Sequence, residues 1–245
     1  MIIHKSNLRI VDVIKEDKGI PMLNNIHIDE DGITSAVGNK IVLVMSAVKD
    51  SVCKSIEKMQ QWGGKILQKG GITIPADSVK EVMKNIPKDT QFKGLLEHVE
   101  VDKEGIFKLS DGRRQRVIKC TPWKRDFPEW RKTFDLKRSE GVFRAVYNRK
   151  RLLLLLSAIE KCCEDTSGYS PVWIEGCKDG TMIVRSVNMK TGQKALGVVA
   201  AYDGKEGEWI EDTEFELKPK TKKILPKRKT LVPKRKIKRK INKRK

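Results

Sequence analysis

The sequence lacks most of the signatures of an enzyme, a secreted protein or a membrane protein. Its 245 residues contain no Walker A loop and no dinucleotide fingerprint. The three histidines, His4, His27 and His98, are far apart and match no Ser or Cys nucleophile pattern. Five cysteines (Cys53, Cys120, Cys162, Cys163 and Cys177) are an odd number without a C-x-x-C pair, so neither a disulfide framework nor a zinc site is indicated. Buried, reduced thiols in a cytoplasmic compartment are expected. The opening stretch MIIHKSNLRIVDVIKEDK has no apolar h-region. The longest apolar run, the five leucines of 152–156, is too short to span a bilayer and follows Arg149, Lys150 and Arg151. No cofactor and no metal is expected. Asp29-Glu30-Asp31 offers carboxylates for a metal-dependent nuclease, but its setting reads as a hairpin turn, where acids are common.

Acidic residues are missing altogether from 218–245, which hold sixteen Lys or Arg. The formal charge of +20 less these sixteen leaves +4 on the preceding residues, so the basic character belongs mostly to a tail. That tail repeats ILPKRK, LVPKRK, IKRK and INKRK, is interrupted by Pro226 and Pro233, and cannot form a core, so disorder is expected. Its Lys227, Arg228, Lys229, Lys234, Arg235, Lys236, Lys238, Arg239 and Lys240 favour a polyanion, nucleic acid first. An acidic membrane surface or a localisation signal fits the same composition.

What is present is a repeated grammar. Residues 70–87, GGITIPADSVKEVMKNIP, read as a β-branched strand, a proline step and a helix stopped by Pro87. Ser78 and Glu81 have capping-box spacing. Val79, Val82, Met83 and Ile86 make one apolar stripe, with Lys80, Lys84 and Lys88 on the other face. Residues 142–163, VFRAVYNRKRLLLLLSAIEKCC, repeat the pattern: a strand over 142–146, Asn148 as N-cap, then a helix. Core packing explains most of its leucines, and a partner contact would account for the surplus. Each helix is followed by a three-strand meander, over 94–121 and 171–202. An earlier meander covers 21–48, and 1–14 reads as strand, so this first unit shows no helix. A helix is also expected over 50–62, a short strand over 65–67, and a packed irregular connector at 122–131, PWKRDFPEWR. The boundary between the first two units and the last falls in the polar stretch 132–141.

Several segments in this order resemble the bacterial DNA sliding clamp, the processivity factor of the replicative polymerase. They are PMLNNIHIDEDGITSAVGNKIVLVM, GGITIPADSVKEVMKNIP, DFPEW and VYNRKRLLLLLSAIEK. The resemblance covers most of 1–202. It implies an α+β fold of repeated β-α-βββ units, with antiparallel sheets and helices on one face. The expected division is a clamp-like domain over 1–135, a second clamp-like unit over 142–217 and the basic tail over 218–245. A full clamp domain holds two units, whereas this chain shows three.

The resemblance further implies a non-enzymatic, sequence-independent DNA-binding factor for processivity or tethering, acting at the site of DNA replication. Duplex DNA, a DNA polymerase or clamp loader, and further copies in a homo-oligomeric ring are the partners it implies; no membrane partner is expected. Sliding demands weak phosphate contacts and no base readout. Lys80, Lys84 and Lys88 on one helix and Arg149, Lys150 and Arg151 on the other are the candidates; each reads equally well as a solvated surface residue. The alternative is an architectural nucleic-acid-binding protein in which the tail alone binds.

Overall fold

The computed structural model describes residues 1–14, 20–60, 67, 69–87, 96–110, 114–137, 145–163 and 171–201, with backbone only at 59 and 60. Strand β1 (Ile2–His4) opens the chain, and at His4 it turns into helix α1 (Lys5–Arg9). The turn is made by a capping box: the His4 ring accepts from the Ser6 N–H at 3.2 Å, and Asn7 Oδ1 accepts from the His4 N–H at 3.2 Å. A 3₁₀ turn, Ile10–Val13, continues the helix. The first unit therefore has its helix, which corrects the strand expected over 1–14. Its β-branched Ile10, Val11, Val13 and Ile14 favour strand in isolation, but here they are buried under the sheet, and packing overrides propensity.

Strands β2 (Asn25–Ile28), β3 (Thr34–Gly38) and β4 (Ile41–Met45) form the expected meander. Helix α2 (Asp50–Gln60) follows, with Ile56 buried against Ile2. Of the strand expected over 65–67 only Leu67 lies among the described residues; it is buried but not in a strand. Strand β5 (Ile72–Pro75) does not prolong its own unit. It pairs with β2, placing Ile26 opposite Ile74.

Helix α3 (Ala76–Asn85) begins directly at Pro75, with no side-chain cap, so the capping box expected at Ser78 does not form. The proline supplies a fixed φ and needs no donor, and the helix starts one turn earlier than the Ser78 signal. Val79, Val82 and Ile86 are buried and Met83 packs beside them, the stripe expected from their spacing.

Strands β6 (His98–Val101), β7 (Ile106–Ser110) and β8 (Gln115–Lys119) make the second meander; Leu96, expected in its first strand, is helical. β1 pairs with β6. The two units thus exchange strands: the strand leading into each helix borders the other unit's meander. The third unit brings α4 (Arg149–Cys162) and strands β9 (Val172–Gly176), β10 (Met182–Val187) and β11 (Lys194–Val199). Of the strand expected over 142–146, Ala145 and Val146 are described and lie outside any strand. β11 pairs with β4 through five residues, which fuses two meanders into one sheet of order β5-β2-β3-β4-β11-β10-β9. The other sheet is β1-β6-β7-β8.

The architecture is α+β, and one continuous core joins α1, α3 and α4 to both sheets. Gly197 on β11 explains how closely α4 approaches: a Cβ there would lie 2.7 Å from Leu155 Cδ1. Among the described residues no helix is long and apolar enough to cross a membrane.

Candidate nucleic-acid interface

Helix α1 packs between α3 on one side and α4 on the other, so three helices lie side by side. Their buried stripes face the sheets. The exposed surfaces of α3 and α4 carry both signs: Lys80, Lys84, Arg149 and Lys150 stand among the exposed acids Asp77, Glu81 and Glu160, while Lys5 and Arg9 of α1 are half-buried. Lys80 and Lys84 are exposed on α3, with Lys80 paired to Asp77 at 3.2 Å. Lys88 lies outside the described residues.

Arg149 and Lys150 are exposed in the first turn of α4. Asn148 caps that turn as expected, its Oδ1 accepting from the Lys150 and Arg151 N–H groups at 3.1 and 3.3 Å. Arg151 is half-buried and donates to Asn39 Oδ1 at 3.2 Å, so one of its nitrogens already has a protein partner. Two further cations on this helix layer tie it together: Arg9 donates to the Lys161 carbonyl at 2.7 Å, and Lys161 pairs with Asp12 at 2.9 Å. All nine tail candidates, Lys227 to Lys240, lie outside the described residues.

The connector makes a second feature, expected to be irregular and packed but not to wall a cleft. Residues 120–129 are irregular, and Trp130–Phe134 form a 3₁₀ turn. Trp123 N–H donates to the Thr73 carbonyl at 2.8 Å, which lays the connector along β5. His27 and Phe127 stack at 5.2 Å, and burial holds the His27 pKa below its ordinary value. Between connector and sheet lies a cleft of about 1000 Å³ with cationic Lys103, Lys124, Arg125 and Lys132 on its walls. Farther along, Trp130 and Phe134 cover Val42, Val44, Ile183 and Val198 on the outer face of the joined sheet. The two tryptophans and two prolines of PWKRDFPEWR were the available signal.

The acidic turn does not form a metal cradle. Asp29 is buried, its Oδ1 accepts from the Asp31 and Ile33 N–H groups at 3.0 and 2.9 Å, and its Oδ2 meets Arg131 at 2.5 Å. Among the described residues no cluster of His, Cys, Asp or Glu is arranged to hold a metal.

The fold does bring one histidine to a serine and a carboxylate, a juxtaposition invisible in the spacing. His4 Nδ1 lies 2.8 Å from Ser6 Oγ, and His4 Nε2 lies 3.4 Å from Glu97 Oε2. The line resembles a hydrolytic triad, but Ser6 is 2% exposed and its Oγ accepts from Asn188. No substrate reaches it. Burial alone would raise the Glu97 pKa, yet hydrogen bonds from His4 and Lys5 hold it down to about 2; burial lowers that of His4. The cluster is structural. It joins β1, β6 and the β10–β11 turn, with Gln193 donating to Asn7 at 2.8 Å.

No protein-family model matches the sequence, and no curated protein does. Among solved structures, the chain is similar to the PCNA2–PCNA3 complex from Sulfolobus tokodaii, with a TM-score of 0.48 and 10% identity over 82% of this chain and 98% of that one. It is also similar to A. fulgidus PCNA bound to the C-terminal region of FEN-1, with a TM-score of 0.46 and 12% identity over 84% and 98%. A third similar structure is the beta subunit from DNA polymerase of Streptococcus pyogenes, with a TM-score of 0.42 and 12% identity over 84% of this chain and 65% of that one.

Proposed function

We propose that the protein is a non-enzymatic, sequence-independent DNA-binding factor that tethers a replication enzyme to duplex DNA in the manner of a sliding clamp. The observation that carries this reading is the layer of three adjacent helices with Lys80, Lys84, Arg149 and Lys150 exposed on it. Two of these cations sit in the first turn of α4, where the helix dipole disfavours positive charge by a few tenths of a kcal/mol each. A phosphate placed there removes that penalty. Lysines and arginines on long, solvated side chains hold phosphates without reading bases, which is what a mobile tether requires.

In this reading 1–135 form a two-unit clamp-like domain, 142–217 a further unit, and 218–245 add unspecific affinity. A DNA polymerase or clamp loader is the partner class, and further copies of the chain complete any ring. The site of action is the replicating DNA in the cytoplasm.

Binding to a short duplex as a function of salt tests the proposal. With about half of the tail's charges on phosphates, the log–log slope should be near −7. Removing 218–245 should flatten the slope and leave a weaker, salt-sensitive binder. An unchanged slope refutes the tail's part. Complete loss of binding by the body, with the isolated tail binding as well as the whole chain, refutes the helix layer's part.

A further inference from the structure

We infer that the cleft between the connector and β5 binds single-stranded nucleic acid, on the face of the sheet opposite the helix layer. The placement follows from strand alternation. Ile26 and Ile28 on β2 and Ile72 and Ile74 on β5 belong to the core that the helices cover. His27 and Thr73 stand between them in the pairing, so they point to the other face, where His27 Nδ1 lies 2.9 Å from Thr73 Oγ1. Both line the cleft. The sheet therefore separates a ligand seated there from any duplex on the helices.

Along the connector, rings alternate with cations. Trp123, Phe127 and Trp130 lie on the cleft wall, and Lys124, Arg125, Arg131 and Lys132 flank them in the chain. Each ring is half-buried, so part of its surface stays open. Phe127 is fixed by its stack on His27, with 19° between the ring planes. The Arg131 guanidinium lies 4.6 Å from the Trp130 ring centroid, and that of Arg125 lies 5.8 Å from the Trp123 ring. Rings of this kind offer π-faces to unpaired bases of any identity, with cations at hand for the phosphates between them.

The charge on the wall is uneven. Five cations, Lys103, Lys124, Arg125, Arg131 and Lys132, meet two acids, Asp126 and Glu129. Arg131 is taken up by Asp29, Lys132 by Glu129 and Lys103 by Glu104. Lys124 and Arg125 are exposed and pair with no carboxylate among the described residues. They are the phosphate anchors.

A single strand uses both features at once. In a duplex the bases are stacked on one another and present only their edges in the grooves, so the rings would face nothing. An acidic peptide meets the two free cations but brings no flat partner for the rings. At about 1000 Å³ the cleft is of the size that encloses a small ligand, which is room for a few nucleotides. The inference is independent of duplex binding on the helix layer; neither site needs the other.

The test compares the full chain's affinity for a labelled oligothymidylate of about 20 nucleotides with that for a duplex of the same length. At about 0.3 M salt the tail's phosphate contacts weaken while stacking persists. Phe127→Leu keeps an apolar side chain without a π-face. It should weaken oligothymidylate at least about fivefold, the least that one lost base stack gives, and leave the duplex within about twofold. Replacing Lys124 and Arg125 together by Gln, at exposed positions, should also weaken oligothymidylate and reduce its salt slope by about 0.7 per contact. Far-UV circular dichroism of both variants should match the wild type. A wild type that fails to bind oligothymidylate overturns the inference. So does an affinity unchanged in both variants, because the tail or the helices then hold the strand. An equal loss for duplex and oligothymidylate overturns it as well. A loss in the charge variant alone assigns the cleft to anions in general, acidic peptides included, and likewise overturns it.

Discussion

Asp29 is the residue on which a nuclease reading would have to stand, and its surroundings give it other work. One oxygen caps its own turn, and the other faces Arg131. Asp29→Asn keeps the turn acceptor and should cost under about 1 kcal/mol, because Arg131 is largely solvated. Asp29→Ala leaves two backbone donors without their acceptor and should cost about 2 kcal/mol. Chemical denaturation of both variants checks the order, and a magnesium-dependent cleavage activity lost in Asp29→Ala would contradict it.

The His4–Glu97 pair predicts acid sensitivity. Burial depresses the His4 pKa below 6.5, so as pH falls through 6.5 the unfolded chain takes up a proton that the folded chain resists. The Glu97 carboxylate, held at about 2 against an ordinary 4.5, adds stability that is complete above 4.5 and is lost as pH falls from there toward 2. Both effects have the same sign. Thermal midpoints should therefore decline in two stages below neutrality, and Glu97→Gln should flatten the lower stage.

At the scale of elements, α4 offers the sharpest separation between a phosphate site and ordinary solvated cations. Replacing Arg149 and Lys150 by Gln removes positive charge from a helix N-terminus, so folding stability should rise slightly, by a few tenths of a kcal/mol per residue. If these residues meet phosphates, DNA affinity should fall uniformly across sequences and the salt slope should lose about one unit per contact. Stability up with affinity down marks function; stability up with affinity unchanged marks a solvated face. The packing of α4 on its own unit's sheet is tested by Leu155, fully buried against Gly197: Leu155→Ala should cost about 2–5 kcal/mol.

Much of this level was legible in the sequence. Val79, Val82 and Ile86 announced α3 by their spacing, Asn148 announced the start of α4, and the acidic turn at Asp29 announced the β2–β3 hairpin. The helix at Lys5–Val13 was hidden because its cap is a histidine and its last turn carries the β-branched Ile10, Val11 and Val13. Strand exchange was hidden as well. Nothing in Ile72–Pro75 distinguishes pairing with β2 from pairing with its own meander, because that choice is made by long-range packing. The Ser6–His4–Glu97 line spans 93 residues between histidine and carboxylate and has no local signature.

At the scale of the whole molecule, a two-unit body with strands exchanged between its halves carries a third unit through the β4–β11 pair and the α1–α4 contact. The surface of the helix layer keeps its exposed cations, while Arg9 and Lys161 hold the layer together and Lys5 ties α1 to Glu97, just before β6. In the proposed reading this division of labour serves a tether: fixed geometry beneath, loose electrostatic contact above. In the proposed reading, DNA is held by enclosure, completed by further copies of the chain, as well as by charge. The most direct test compares the lifetime of the complex on a closed circular plasmid with its lifetime on the same plasmid cut once, at physiological salt. The account predicts that the protein persists on the circle and is lost from the linear ends; equal lifetimes on the two would contradict it.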